Sequence, residues 1–290
     1  MAATRGGATI NGGGAAVLGA SSLAGARPRS SPLRSMRAEP RVVVALLAAA
    51  GLAWLSTAER MAGMDAGPGS ALGSPGWFTG VWATMMAAMM LPSLAPATAA
   101  YSLSVRRALV PSLLMVGGYL LVWALAGVAA YGLFELGKSL FGGSLGWHGG
   151  AGRPLAAGVL VIAAAYQLTA LKRRFLQRCR HPLGDPDPAR LSVRRDAFTT
   201  GLRLGGWCLG CSWALMCALF ALGIMSLTWM GLIAGLVALE KLGPSGRGAR
   251  LAGAGIMIVL AVAILAVPRD VPGFVVPGGR VPHRMMGAMG

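Results

Sequence analysis

Seven apolar runs, at residues 41–57, 77–97, 111–134, 154–171, 204–222, 224–240 and 251–267, divide most of this 290-residue chain. Each approaches the roughly 20 residues that a helix needs to cross the hydrocarbon core of a bilayer. Backbone polar groups inside a bilayer must be satisfied within the segment, so runs of this length fold as helices. Only 12% of the residues are charged, about half the share of a soluble domain. The expectation is an all-α, polytopic transmembrane helix bundle of about seven spans. Little more than Gly223 separates the fifth run from the sixth, which predicts a tight hairpin.

The net charge of +17 would suit nucleic acid if it formed a folded basic face. Here the Lys and Arg residues sit between apolar runs, and the excess of cations in cytoplasmic loops explains them better. With the N-terminus inside, 20 of the 26 Lys and Arg residues lie on the cytoplasmic side. The six on the other side are Arg60, Lys138, Arg153, Arg269, Arg280 and Arg284. The expected topology is N-in/C-out, with the lipid bilayer as partner and no nucleic acid. Residues 1–40, rich in Gly, Ala, Ser and Arg, lack the apolar surface to fold and read as a disordered basic segment. Residues 41–267 form the bundle, and 268–290 a flexible, methionine-containing tail. Met36 is also a candidate start, since Arg37 and Arg41 followed by an apolar run resemble a start-transfer helix.

Within the second run, Trp82-Ala83-Thr84-Met85-Met86-Ala87-Ala88-Met89-Met90-Leu91-Pro92 places Trp82, Met85, Met86, Met89 and Met90 within about 140° of one helical face. Thioethers can serve a soft metal ion, or simply fill irregular apolar gaps. Pro92 and Pro96 follow, where missing donors favour a kink. In the fifth run, Cys208, Cys211, Ser212 and Met216 share another arc of about 140°, and Cys217 points to its back. Thiolate and thioether donors select Cu(I) over Mg²⁺ or Mn²⁺. No His, Asp or Glu falls in the middle of any run, so a metal site inside the bundle has to be built from sulfur. The same absence argues against a proton-driven transporter. Met225 and Trp229 share a face of the sixth run. Met61, Met64 and the tail residues Met285, Met286 and Met289 supply outward thioethers. Cys179, between Arg178 and Arg180, has two readings: a thiol that exchanges metal at the cytoplasmic side, or part of a solvated loop whose arginines meet anionic lipid.

Four ordered motifs carry a resemblance. They are Trp82-x-x-Met85-x-x-Ala88-Met89-Met90-Leu91-Pro92; Tyr166-Gln167-Leu168-Thr169-Ala170-Leu171-Lys172 with Cys179-Arg180-His181-Pro182; Cys208-Leu209-Gly210-Cys211-Ser212-Trp213-Ala214-Leu215-Met216; and Gly223-x-Met225-x-x-x-Trp229-Met230 ending in Glu240-Lys241. Over residues 77–242 the chain resembles the bacterial family of predicted metal-binding integral membrane proteins, domain of unknown function 2182. Some of its members carry a copper chaperone label. Relatives tend to have Pro in place of Ala170 and often Cys in place of Phe175 and Ser212, so this chain holds fewer sulfurs.

Together these readings predict a multi-pass protein of the bacterial cytoplasmic (inner) membrane that binds a soft metal, Cu(I), through Met85, Met86, Met89, Met90, Cys208, Cys211, Met216 and Met225. No organic cofactor is implied, and an enzymatic role is the less favoured reading. Partners would be copper-handling proteins or a copper-oxidase assembly system. Two alternatives stand beside this: a membrane thiol-disulfide oxidoreductase working through Cys208 and Cys211, and a structural or assembly subunit with no metal site.

Overall fold

The structure, a computed structural model, describes residues 32–61, 74–105, 108–141, 152–180, 195–222, 226–243 and 246–266. Among these residues it is all-helical. The order is α1 (Pro32–Ala38), α2 (Pro40–Met61), α3 (Pro75–Ser104), α4 (Leu109–Phe141), α5 (Gly152–Leu168), α6 (Ala170–Arg180), α7 (Arg195–Leu222), α8 (Leu227–Leu242) and α9 (Gly246–Ala266). Met64, Met225 and the tail methionines lie outside the described residues, as does the basic stretch before Pro32.

Among the described residues, five helices are long and apolar enough to cross a membrane: α2, α3, α4, α7 and α9. The pair α5 and α6 makes a sixth if counted as one broken span, bent by 66°. The sixth apolar run becomes α8, whose 16 residues cover only about 24 Å at 1.5 Å per residue. Leu52, Leu55, Leu113, Leu133, Val259 and Val262 stand exposed on α2, α4 and α9. An outer surface of leucine and valine over buried polar groups suits lipid and is consistent with a multi-pass membrane protein.

The structure extends the fourth apolar run differently from a straight helix running into a loop. Thr169 ends α5 and starts α6. Its hydroxyl donates to the Tyr166 carbonyl at 2.8 Å and accepts from the Lys172 amide at 3.2 Å, as an N-cap residue does. The cationic segment that follows is therefore helical, and it packs on α7 and α8.

Helices α4 and α7 meet through glycine. A Cβ on Gly201 would collide with the Met115 carbonyl, one on Gly118 would lie 2.5 Å from the Phe198 carbonyl oxygen, and one on Gly205 3.0 Å from that of Tyr119. Small residues at a four-residue interval let membrane helices approach this closely. Gly201→Val is expected to force the two helices apart at a cost of about 3 kcal/mol, the upper end of overpacking effects. Gly206→Ala, whose added carbon meets nothing within 4 Å, should unfold at the wild-type temperature; thermal unfolding of the detergent-solubilised proteins compares them.

At the far end of the same interface, the Trp82 indole N–H donates to the Trp123 carbonyl at 2.8 Å and its ring stacks on Phe220, centroids 5.4 Å apart. A Cβ on Gly127 would strike that indole. The first residue of the methionine stripe thus pins α3 to α4 and α7. Helix α3 runs on as one helix through Pro92 and Pro96. Beside the first of these prolines, the Ser93 hydroxyl donates to the Met90 carbonyl at 2.8 Å.

Candidate metal centre

Three thiols converge where α6 lies across α7. The Sγ atoms of Cys179, Cys208 and Cys211 lie within 4.8 Å of one another. Cys208 and Cys211 are buried and Cys179 is half-buried. Spacing on α7 puts Cys208 and Cys211 on one face, three residues apart. Gly210 between them leaves room for α6, because a Cβ there would lie 2.8 Å from the Phe175 ring. One turn beyond Phe175, Cys179 comes over the pair.

Around the thiols, Met90 Sδ lies 3.9 Å from Cys208 Sγ. Two sulfurs on one metal ion, each bonded at about 2.3 Å, sit no more than about 4.6 Å apart, so this pair already has ligand spacing. Three sulfurs around one ion at that bond length stand about 4.0 Å apart, so the thiol triangle, within 4.8 Å, closes on an ion by side-chain rotation. Tyr119 Oη is 2.9 Å from Cys208 Sγ. Lys241 Nζ, from the last turn of α8, donates to the same sulfur at 2.9 Å and to Ser93 Oγ at 3.0 Å. The Cys211 thiol donates to the Cys208 carbonyl at 3.2 Å, and the Ser212 hydroxyl donates to that carbonyl at 2.7 Å. A donor set of three thiols and one thioether suits a soft ion and none of the hard ones.

Two ties fix α6 in this position. Lys172 and Glu240, both buried, form an ion pair at 2.7 Å. Arg180 donates to the carbonyls of Glu240 and Gly243 at 2.8 and 2.6 Å, which satisfies the open end of α8. On the opposite side, the Tyr166 hydroxyl donates to the Gly210 carbonyl at 2.6 Å and its ring meets Trp213 edge-on. Gly253 on α9 keeps space for the buried Gln167 amide, whose Nε2 would lie 3.2 Å from a Cβ there.

The residues singled out in the sequence are dealt with unequally by this geometry. Cys208, Cys211 and Met90 come together. Met85, Met86, Met89 and Met216 are buried in the core, and among the described residues Met90 is the methionine within hydrogen-bond reach of a thiol. Met225 falls outside the described residues. Cys217 is exposed. Two residues absent from the expected ligand set stand at the centre, Cys179 and Lys241. Cys179 was visible as a cysteine among arginines, but its loop reading gave no reason to bring it to α7. Phe175 and Ser212, where the resembling family often has cysteine, both border the cluster.

A family model describing a copper chaperone, PpoB2, matches residues 79–264. The chain belongs to the PpoB2 copper chaperone family. The matched stretch takes in every described residue of the cluster, from Met90 on α3 to Lys241 on α8. Comparison with curated proteins and with solved structures gives no match. As a member of this family, the chain joins a fold of apolar helices to a sulfur cluster compatible with copper.

Proposed function

We propose that this protein binds Cu(I) at Cys179, Cys208, Cys211 and Met90 and holds it for transfer to copper-handling partners. The observation that carries the reading is the convergence of three thiols and a thioether, from three different helices, at metal-ligand separations. Cu(I) is satisfied by two or three sulfur donors, so the fourth can come and go during loading. Placement in the bacterial cytoplasmic membrane is part of this reading, and the excess of Lys and Arg in alternate connections favours an inner N-terminus. In that orientation Cys179 and Lys241 lie toward the cytoplasmic end of the bundle, and the half-buried Cys179 is the thiol first met by an arriving ion. Met85, Met86 and Met89 continue the thioether face of α3 away from the cluster. They offer further soft donors on a path to the opposite side.

Metal stoichiometry and chelator competition on the purified protein test this. Met90→Leu is expected to weaken Cu(I) binding by about tenfold, the worth of one modest ligand at 1.4 kcal/mol, with one ion still bound. The triple variant Met85→Leu/Met86→Leu/Met89→Leu should match wild type. Loss of binding in the triple variant with no change in Met90→Leu would move the site to the methionine stripe and overturn the cysteine cluster.

A further inference from the structure

The cysteine cluster alone does not choose its metal. Its cysteine sulfurs can hold Zn(II) as well as Cu(I), since both ions are bound by thiolate. What distinguishes the two ions is charge, and the cluster contains a group that reads charge. Lys241 Nζ is 2.9 Å from Cys208 Sγ and 4.0 Å from Met90 Sδ. These two sulfurs are themselves 3.9 Å apart. The ammonium is therefore lodged against the sulfur pair that would hold the ion. Ser93 Oγ, at 3.0 Å, keeps it there, and that hydroxyl is held in turn by the Met90 carbonyl.

The neighbouring charges do not cancel it. Lys172 and Glu240 pair with each other, and Arg180 spends its donors on the α8 carbonyls. Among the described residues, Lys241 is the cation in hydrogen-bond contact with a sulfur of the cluster.

We propose that Lys241 is the specificity-determining residue of the metal centre, a fixed positive charge that favours a monovalent soft ion over a divalent one. This rests on the reading of the cluster as a metal site. Two thiolates, Cu(I) and the ammonium sum to zero, the arrangement that a low-dielectric interior tolerates best. A divalent ion in the same place leaves a net positive site and meets twice the repulsion from the ammonium. Reaching neutrality would require the third thiol to ionise as well. Ser93 gives the ammonium a second acceptor, so its charge stays in the site when Cys208 Sγ turns to the ion.

The test uses full-length protein in detergent micelles, with Cu(I) and Zn(II) affinities measured by chelator competition on wild type, Lys241→Gln and Lys241→Arg. Removing a unit charge within a few ångströms of the ion acts twice as strongly on the divalent metal. The ratio of Cu(I) to Zn(II) affinity should fall about tenfold or more in Lys241→Gln and stay near wild type in Lys241→Arg. Lys241→Leu, which is apolar and adds no sulfur donor, gives the same readout if the glutamine variant is unstable. An unchanged ratio overturns the proposal, as does an equal loss for both metals that arginine fails to restore, because that is the signature of a packing role. Failure of wild type to bind either metal would instead remove the metal reading itself.

Discussion

Replacing Cys208 and Cys211 together with serine is expected to abolish Cu(I) binding to the purified protein. Both sulfurs are buried on one face of α7, and Cys208 alone meets Met90, Tyr119 and Lys241. Binding energies of thiolate-rich zinc sites are on the order of 10–16 kcal/mol over four ligands. Loss of two thiolates from a smaller set should therefore weaken binding by about 10³-fold or more. Serine keeps the volume nearly constant and can still donate to the Cys208-position carbonyl, so the helix contacts survive and thermal unfolding should shift little. Cys179→Ser is expected to fall between wild type and the double variant, since one thiolate is lost from the edge of the cluster. Cys217→Ser, on the exposed face of α7, serves as the control and should bind one equivalent. A double variant that retains wild-type stoichiometry would show that the cluster is not the metal centre.

The apolar runs made the helices legible, because length and composition alone force a helix in lipid. The α7 face was legible for the same reason: three-residue spacing on a helix puts Cys208 and Cys211 side by side. The methionine stripe shows where such reasoning stops. Angular position is read from spacing, but depth relative to another helix is not. Met85 lies five residues from Met90, about 7.5 Å along the axis, and Met89 about 100° round it; Met90 is the one that meets Cys208.

Helix α6 was hidden for a different reason. Its inward face is Lys172, Leu176, Cys179 and Arg180 rather than an apolar stripe, and its outward face carries Arg173, Arg174 and Arg178. Composition therefore reads as a loop. The charges on the inner face are acceptable only because Glu240 and the end of α8 come to meet them from 60 to 68 residues away. Lys241 was counted as one more inside cation for the same reason, since nothing local to it points to a thiol on α7.

Glu240→Ala is expected to produce the largest loss of stability. It leaves Lys172 as an unpaired charge in a buried position, where removing one partner of an ion pair typically costs about 3–5 kcal/mol. The consequence should reach the metal centre. Glu240 holds α6 through Lys172, and α6 carries Cys179; the next residue of α8 is Lys241, which contacts Cys208. One carboxylate thus sets the positions of a thiol and a cation of the cluster. Melting temperature and Cu(I) affinity should fall together in Glu240→Ala. The double variant Lys172→Met/Glu240→Met separates the two effects, because replacing a buried pair with apolar residues of similar size is often neutral or stabilising. The Arg180 bonds go to backbone carbonyls and survive both substitutions. With the charge gone and α6 still tied by Arg180, the double variant should recover its melting temperature and bind Cu(I) within a few-fold of wild type. Recovery of stability without recovery of binding would mean that the ion pair tunes the cluster by its charge as well as by holding α6 in place.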